Sequence, residues 1–375
     1  MKRILALILV LAMTLASASA FAETLKLGSM SPLTGPYAAD GNDIANGVRT
    51  AIEVVKAEGG IPGFDDITLS AQDTACDPRQ AVAAANKLIN EEVAAVIGAY
   101  CSSATLPASE TLDEEDIIML TPGSTNEKVT ERGLKNIFRT CGRDDDQSKA
   151  ALRFMKEYLK AKTIYLVDDK TAYSQGLADN VEKGCPAAGI KVLGHEHVNQ
   201  GDKDFSAVLT KVKAAKPDVF YVSLQNSATG ALLIIQAKRM GIDAVYLAQD
   251  AVYHPQLIKI AKKDANGMFL TFGYVDPNTP SYKQFIKFYE PKYGKPGAYS
   301  TYAYDSAMAY MAAVKKAGST DLDKVRAALL SMEFKGASKS FKYKENGDSG
   351  SNYIIRKIEN GKYVDFWNAQ TGKKY

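Results

Sequence analysis

Through most of the chain, short unbroken apolar runs alternate with stretches whose apolar residues recur at helical spacing. Leu25 to Met30, Thr68 to Gln72, Val93 to Gly98, Ile117 to Leu120 and Ile137 to Thr140 are predicted strands. After the first, Ile44, Val48, Ile52 and Val55 mark one face of an amphipathic helix that stops at Gly59-Gly60. Asp77-Pro78 supplies a helix N-cap and first helical position, and Val82, Ala85 and Leu88-Ile89 form the buried face that follows. Ala104 to Glu114 is a third helix. Apolar runs of this kind suit strands covered on both faces, and parallel strands need a helix as crossover, so a parallel, helix-covered sheet is predicted.

The pattern weakens between Thr130 and Asp146, where the polar run Arg143 to Asp146 is a first candidate crossing between domains. Alternation then resumes with helix Ser148 to Lys160 and strands Thr163 to Asp168, Ile190 to Val198, Asp218 to Ser223, Ala244 to Ala248 and Gly267 to Phe272. Helices from Ser174, from Phe205 to Ala215, from Thr229 to Met240 and around Pro255 to Ala261 fall between them. Gly273 to Pro280 is a second polar crossing. Helices Tyr282 to Tyr293, Thr301 to Ala317 and Leu322 to Ser331 follow without parallel strands and are expected to cover the sheet of the first lobe. Tyr353 to Lys357 and Tyr363 to Trp367, around Asn360-Gly361, read as a hairpin. The picture is two α/β lobes, 23–143 with 274–348 and 144–273 with 349–375, joined by several crossings.

Two loops after neighbouring predicted strands, 99–103 and 121–126, open at the same sheet edge. The first carries Cys101, Ser102 and Ser103 into a helix start, where unpaired backbone N–H groups and the positive end of the helix dipole suit a carboxylate. The second brings Gly123, Ser124 and Thr125 beside it. Hydroxyl-rich, glycine-containing loops at the carboxyl ends of parallel strands suit a small zwitterion. A serine there also serves as an ordinary helix cap.

The first residues change the expected destination. Lys2 and Arg3, the apolar run Ile4 to Leu15 and the ending Ala20-Phe21-Ala22 have the form of a secretory signal peptide, 1–22, with cleavage expected after Ala22. No cysteine follows the run where a lipid anchor would need one, and no later apolar stretch reaches membrane-spanning length, so a soluble exported chain is expected. The 375 residues hold 46 basic and 43 acidic side chains, a near-balance that argues against nucleic acid as partner. Neither GxGxxG nor GxxxxGK[ST] follows the first strand, so no nucleotide cofactor is indicated.

Four cysteines in an exported chain make disulfides plausible. Cys76 and Cys101 lie in loops at one sheet edge and are the preferred pair, which leaves Cys141 with Cys185. With no CxxC and three histidines, no metal site is expected. His195 and His197 share one face of a strand and are read as surface residues.

Asp73-Thr74-Ala75-Cys76-Asp77-Pro78 with Gln80-Ala81-Val82, Gly98-Ala99-Tyr100-Cys101-Ser102-Ser103, Thr121-Pro122-Gly123-Ser124-Thr125, and Phe138-Arg139-Thr140 leading to Asp144 form an ordered set. Together they resemble the branched-chain (Leu/Ile/Val) amino-acid binding proteins of ABC transporters, in the type I periplasmic binding protein superfamily. The resemblance implies two doubly wound parallel-sheet lobes joined by a multi-strand hinge, with a free amino acid bound between them, delivery to an inner-membrane ABC permease, a periplasmic location, a monomer and no cofactor. It also implies roles residue by residue. Ser102 matches a serine that binds the ligand carboxylate, Thr125 a threonine touching both charged groups, Gly123 a carbonyl that accepts from the ammonium, and Asp250 the acidic residue that pairs with it. Tyr173 matches a tyrosine of the opposite lobe, Tyr299 an aromatic lining the side-chain pocket, and Cys76–Cys101 the family disulfide; Tyr100, Cys101 and Ser124 lie within the matched loops. Asp40 stands where an aromatic residue is usual and Gln225 where a tyrosine is usual. Either the pocket takes a polar or cationic side chain, or Asp40 faces water while Tyr37 fills the pocket.

An enzyme is the rival class. Ser102, His254 and Asp250 form a triad only on paper, because His254 follows Asp250 closely and no G-x-S-x-G elbow surrounds Ser102. A sensory protein that binds the same ligand and signals to a membrane receptor is the remaining alternative.

Overall fold

Nearly every residue of the central strands is apolar and buried, so they can only sit inside a sheet covered on both faces. The computed structural model describes residues 23–375; the expected signal peptide lies outside them. In chain order the first lobe contains β1 (Glu23–Ser31), α1 (Ala38–Ala57), β2 (Phe64–Asp73), α2 (Pro78–Asn90), β3 (Ala95–Gly98), α3 (Ser102–Asp113), β4 (Ile118–Thr121), the single turn α4 (Lys128–Glu131) and β5 (Ile137–Arg139). These five strands make one sheet in the order β2-β1-β3-β4-β5, and each pairing is parallel. As predicted, Asp77 caps α2 by accepting from the backbone N–H of Gln80 at 2.8 Å, with Pro78 at the first helical position.

The second lobe follows with α5 (Asp144–Phe154), β6 (Thr163–Asp168), α6 (Ala172–Ala188), β7 (Lys191–His197), α7 (Ser206–Ala215), β8 (Val219–Ser223), α8 (Ser227–Arg239), β9 (Val245–Ala248), α9 (Pro255–Ala261) and β10 (Phe269–Gly273). The chain then enters α10 (Pro280–Tyr293), α11 (Ser300–Ala317), α12 (Leu322–Ser331) and the small hairpin β11 (Phe334–Lys335) and β12 (Ser340–Phe341). It ends in β13 (Tyr353–Glu359), β14 (Lys362–Asn368) and β15 (Lys373–Lys374). The second sheet runs β15-β14-β13-β10-β9-β8-β6-β7; its C-terminal hairpin adds antiparallel strands beside β10. Helix α11 packs its buried face onto α1 and the first sheet, as the absence of strands around it predicted.

Two differences from the predicted pattern are instructive. The polar run Arg143 to Asp146, read as a candidate crossing, is more ordered than its composition suggests: Asp144, Asp145 and Asp146 are the first turn of α5, where carboxylates meet the positive end of the helix dipole. The β11–β12 hairpin was not predicted, because two-residue strands carry no readable period.

A buried ion pair ties two distant segments of the chain together. Arg139, fully buried at the end of β5, lies 2.6 Å from Asp348, which also accepts from Arg143 at 2.7 Å. Burial alone would raise the Asp348 carboxyl, but the two guanidinium groups hold it below the usual carboxylate range.

Candidate functional site

Both predicted loops meet at the carboxyl edge of the first sheet, and Arg139 shapes the second of them. Its guanidinium donates to the carbonyls of Ser124 and Asn126, at 3.2 and 2.6 Å. Ser102 is the first residue of α3, and its hydroxyl accepts from the backbone N–H of Asn126 at 3.3 Å, leaving its own hydrogen to donate elsewhere. It therefore does not cap its helix. Thr125 has a buried hydroxyl with no partner among the described residues. At Gly123 any side chain would meet the Tyr100 ring, a Cβ falling 2.8 Å from its Cδ2.

The facing wall comes from the second lobe. Asp250 begins a short 3-10 turn after β9 and is buried, but it caps nothing there. Its Oδ1 accepts from Tyr173 Oη at 2.5 Å and from Gln147 Nε2 at 2.9 Å, and Tyr299 Oη lies 3.4 Å from Oδ2. Burial raises the Asp250 carboxyl above its ordinary value, and these hydrogen bonds offset only part of that. Asp144, at the start of α5, is buried with both carboxyl oxygens unpartnered among the described residues. Burial, and then the charge of Asp250, push it well above the carboxylate range.

Tyr100, Ser102, Gly123, Tyr173, Gln225, Asp250, Ala251 and Tyr299 line a narrow space between the lobes, with a cavity volume of about 10 Å³. Tyr100 and Tyr299 meet edge to face, ring centroids 5.0 Å apart, and close one side of it. Gln225 is buried, with its backbone N–H donating to Asp169 at 2.8 Å. The lobes touch around this space: Gln200 Nε2 donates to Tyr37 Oη at 2.9 Å, and Asn226 Nδ2 donates to the Pro36 carbonyl at 3.0 Å. Asp40 lies in the first turn of α1, buried rather than facing water. Burial, with Asp43 adding its charge, pushes its carboxyl up to about 8, so at neutral pH it is mostly the uncharged acid.

Four placements correct the expectations. The Ser124 hydroxyl faces away from the cleft, 3.1 and 3.0 Å from the carbonyls of Ala99 and Tyr100, where it braces the first loop. The Cys101 side chain is likewise taken up, in the disulfide with Cys76, the preferred pairing. Cys141 and Cys185 are both free and buried; Cys141 lies against the Ser124 carbonyl, whereas Cys185 faces a separate apolar core under α6. His195 is no surface residue, its side chain being 9% exposed and paired with the buried Asp168. Gln147, which holds Asp250, went unremarked because a helix N-terminus in sequence does not say which distant residue it meets. The paper triad is absent: His254 Nδ1 accepts from the Gln256 backbone N–H at 3.0 Å as a helix cap.

Hydroxyl and backbone groups on one wall thus stand opposite a buried carboxyl on the other, and comparison with known proteins shows the family. Residues 24–362 match the model of the family described as periplasmic binding protein. A Pseudomonas aeruginosa protein named leucine-, isoleucine-, valine-, threonine- and alanine-binding protein is 37% identical over 89% of this chain and 89% of its own length. A Brucella melitensis protein named Leu/Ile/Val-binding protein homolog 1 is 37% identical over 92% of each chain. Among solved structures, the leucine binding protein LivK of Thermotoga maritima superposes with a TM-score of 0.85 at 30% identity, over 91% of this chain and 97% of that one. The chain belongs to the periplasmic binding protein family, two-lobed proteins that bind ligands and do not catalyse reactions.

Proposed function

We propose that the protein captures a free, neutral α-amino acid between its lobes outside the cytoplasm and delivers it to an ABC permease. The observation that carries this reading is the polarity of the cleft: neutral donors on one wall face the buried Asp250 on the other. In this reading Ser102, Thr125 and the start of α3 donate to the ligand carboxylate, because a buried anion needs hydrogen bonds to offset its desolvation. The Gly123 carbonyl and Asp250 accept from the ammonium, with Tyr173 and Gln147 fixing the orientation of Asp250.

The side-chain pocket falls to Tyr100, Tyr299, Gln225 and Asp40. A protonated Asp40 places no charge against an aliphatic or hydroxylated ligand side chain, so the departure from the usual aromatic residue is compatible with neutral ligands. The names of the relatives, which list leucine, isoleucine, valine, threonine and alanine, support the same choice. Contacts from both lobes favour the closed arrangement, which is how a ligand shifts an open–closed equilibrium. Export with removal of 1–22, a monomeric state and lobe limits near residues 143, 273 and 348 complete the reading.

The test is a thermal-shift screen of refolded, ligand-stripped protein against the twenty amino acids. Ligands that bind only the folded state raise its melting temperature by mass action. Aliphatic and hydroxylated amino acids are expected to give the largest shifts. Preference for lysine or arginine would reassign Asp40 as an ionised partner, and no shift with any amino acid would overturn the cleft assignment.

A further inference from the structure

Outside the cleft, at the open edge of the second sheet, three metal-ligating side chains converge. Strands β6 and β7 pair in parallel with Asp168 opposite His197 and Leu166 opposite His195, so the two histidines, two residues apart, share a face with Asp168. Asp168 Oδ2 lies 2.7 Å from His195 Nε2 and 2.7 Å from His197 Nδ1. The three donor atoms all fall within 4.8 Å of one another. We propose that Asp168, His195 and His197 form a binding site for a divalent transition metal, zinc above all.

Two imidazoles on one carboxylate oxygen exceed what pairing a buried charge requires, since a single histidine would do so. The outer contacts have the form that supports a metal ligand. His195 Nδ1 is held by Glu182 Oε2 at 2.7 Å, and the other oxygen of Asp168 accepts from the Lys170 backbone N–H at 2.7 Å. Both carboxylates accept, so His195 carries a proton on each nitrogen; the one on Nε2 occupies the direction a metal would take. Ligands about 2.0–2.1 Å from zinc in a tetrahedron stand about 3.3 Å apart, so the 2.7 Å separations must widen by roughly 0.6 Å. His197, on an edge strand with its side chain 40% exposed, has room to move. Three protein ligands leave a fourth position to water, which is the form of an open zinc site. Among first-row metals copper(II) would compete, and calcium and magnesium, which favour oxygen, would not.

The experiment is calorimetric titration of the tag-free, chelator-treated full chain with zinc chloride in a non-coordinating buffer, alongside His197→Ala and Glu182→Gln. One zinc per chain is expected, reversed by EDTA. His197→Ala should weaken binding at least ~100-fold, and Glu182→Gln, which alters only the support of His195, by about 10–100-fold. Cobalt chloride should give visible absorption that His197→Ala removes. Both variants lie at exposed side chains, and an unchanged melting temperature confirms folding; should one fail to fold, the other carries the test. No saturable zinc binding, or binding that the folded variant leaves unchanged, overturns the site. The remaining histidine, His254, uses Nδ1 as a helix cap and belongs to no cluster of metal-ligating side chains among the described residues.

Discussion

The two walls of the cleft differ in how they make polarity. The first-lobe wall uses neutral groups on short loops: the Ser102 hydroxyl at a helix start and the Gly123 backbone, the second of these loops being held by the buried Arg139. The second-lobe wall uses a buried carboxyl, Asp250, oriented by side chains of two helices, Tyr173 and Gln147. One wall is polar through backbone geometry and the other through charge. On the proposed reading a zwitterion needs both walls, and so the meeting of the lobes.

Substitutions should separate the walls. The largest effect is expected from Arg139→Met, which leaves Asp348 buried without its main partner and costs about 3–5 kcal/mol of stability by chemical denaturation; a loss under about 1 kcal/mol would show that the neutral wall keeps its shape without the ion pair. Asp250→Ala should leave the fold intact and weaken amino-acid binding by about 2–5 kcal/mol, since the ligand ammonium loses its buried counter-charge. Unchanged affinity in calorimetry would remove Asp250 from the site. Ser102→Ala should weaken binding by about 1.5–3 kcal/mol, the range for a hydrogen bond to a charged group, and a smaller loss would shift the carboxylate contact to the helix backbone.

Asp40→Asn should be least visible in binding, changing affinity for a neutral amino acid at neutral pH by about 1 kcal/mol or less. Its signature is in stability against pH. The Asp40 carboxyl is pushed from 3.8 to about 8 in the folded chain. Between those values the folded state keeps a proton that the unfolded state has released. Its contribution is therefore fully present below about pH 4, falls as pH rises, and levels off above about 8. Denaturation midpoints of the two proteins across this window should converge toward parallel curves above pH 8; parallel curves throughout would mean that Asp40 ionises normally.

Much of the molecule was legible because period and composition report burial directly. Thr163 to Asp168 and Leu322 to Ser331 were placed to the residue, since apolar runs and helical faces leave little choice of backbone. The loops bearing Ser102, Gly123 and Thr125 were found for the same reason: in a parallel sheet every loop after a strand opens on one edge. Ser124 was named as a site residue, but its hydroxyl is taken up by the carbonyls of Ala99 and Tyr100, a direction that sequence does not reveal.

The helix-covered parallel sheets and the shared edge that brings the Cys76 and Cys101 loops together follow from local chemistry, because apolar runs and helical faces fix the elements and parallel strands put their following loops on one edge. What the folded chain alone decided are meetings between distant segments. Gln147 reaches Asp250 across 103 positions, Arg139 reaches Asp348 across 209, and Asp168 meets two histidines 27 and 29 positions away. The state of Asp40 belongs to the same group. An isolated aspartate is an anion at neutral pH, and only the packing of α1 against its surroundings removes the water that would keep it one.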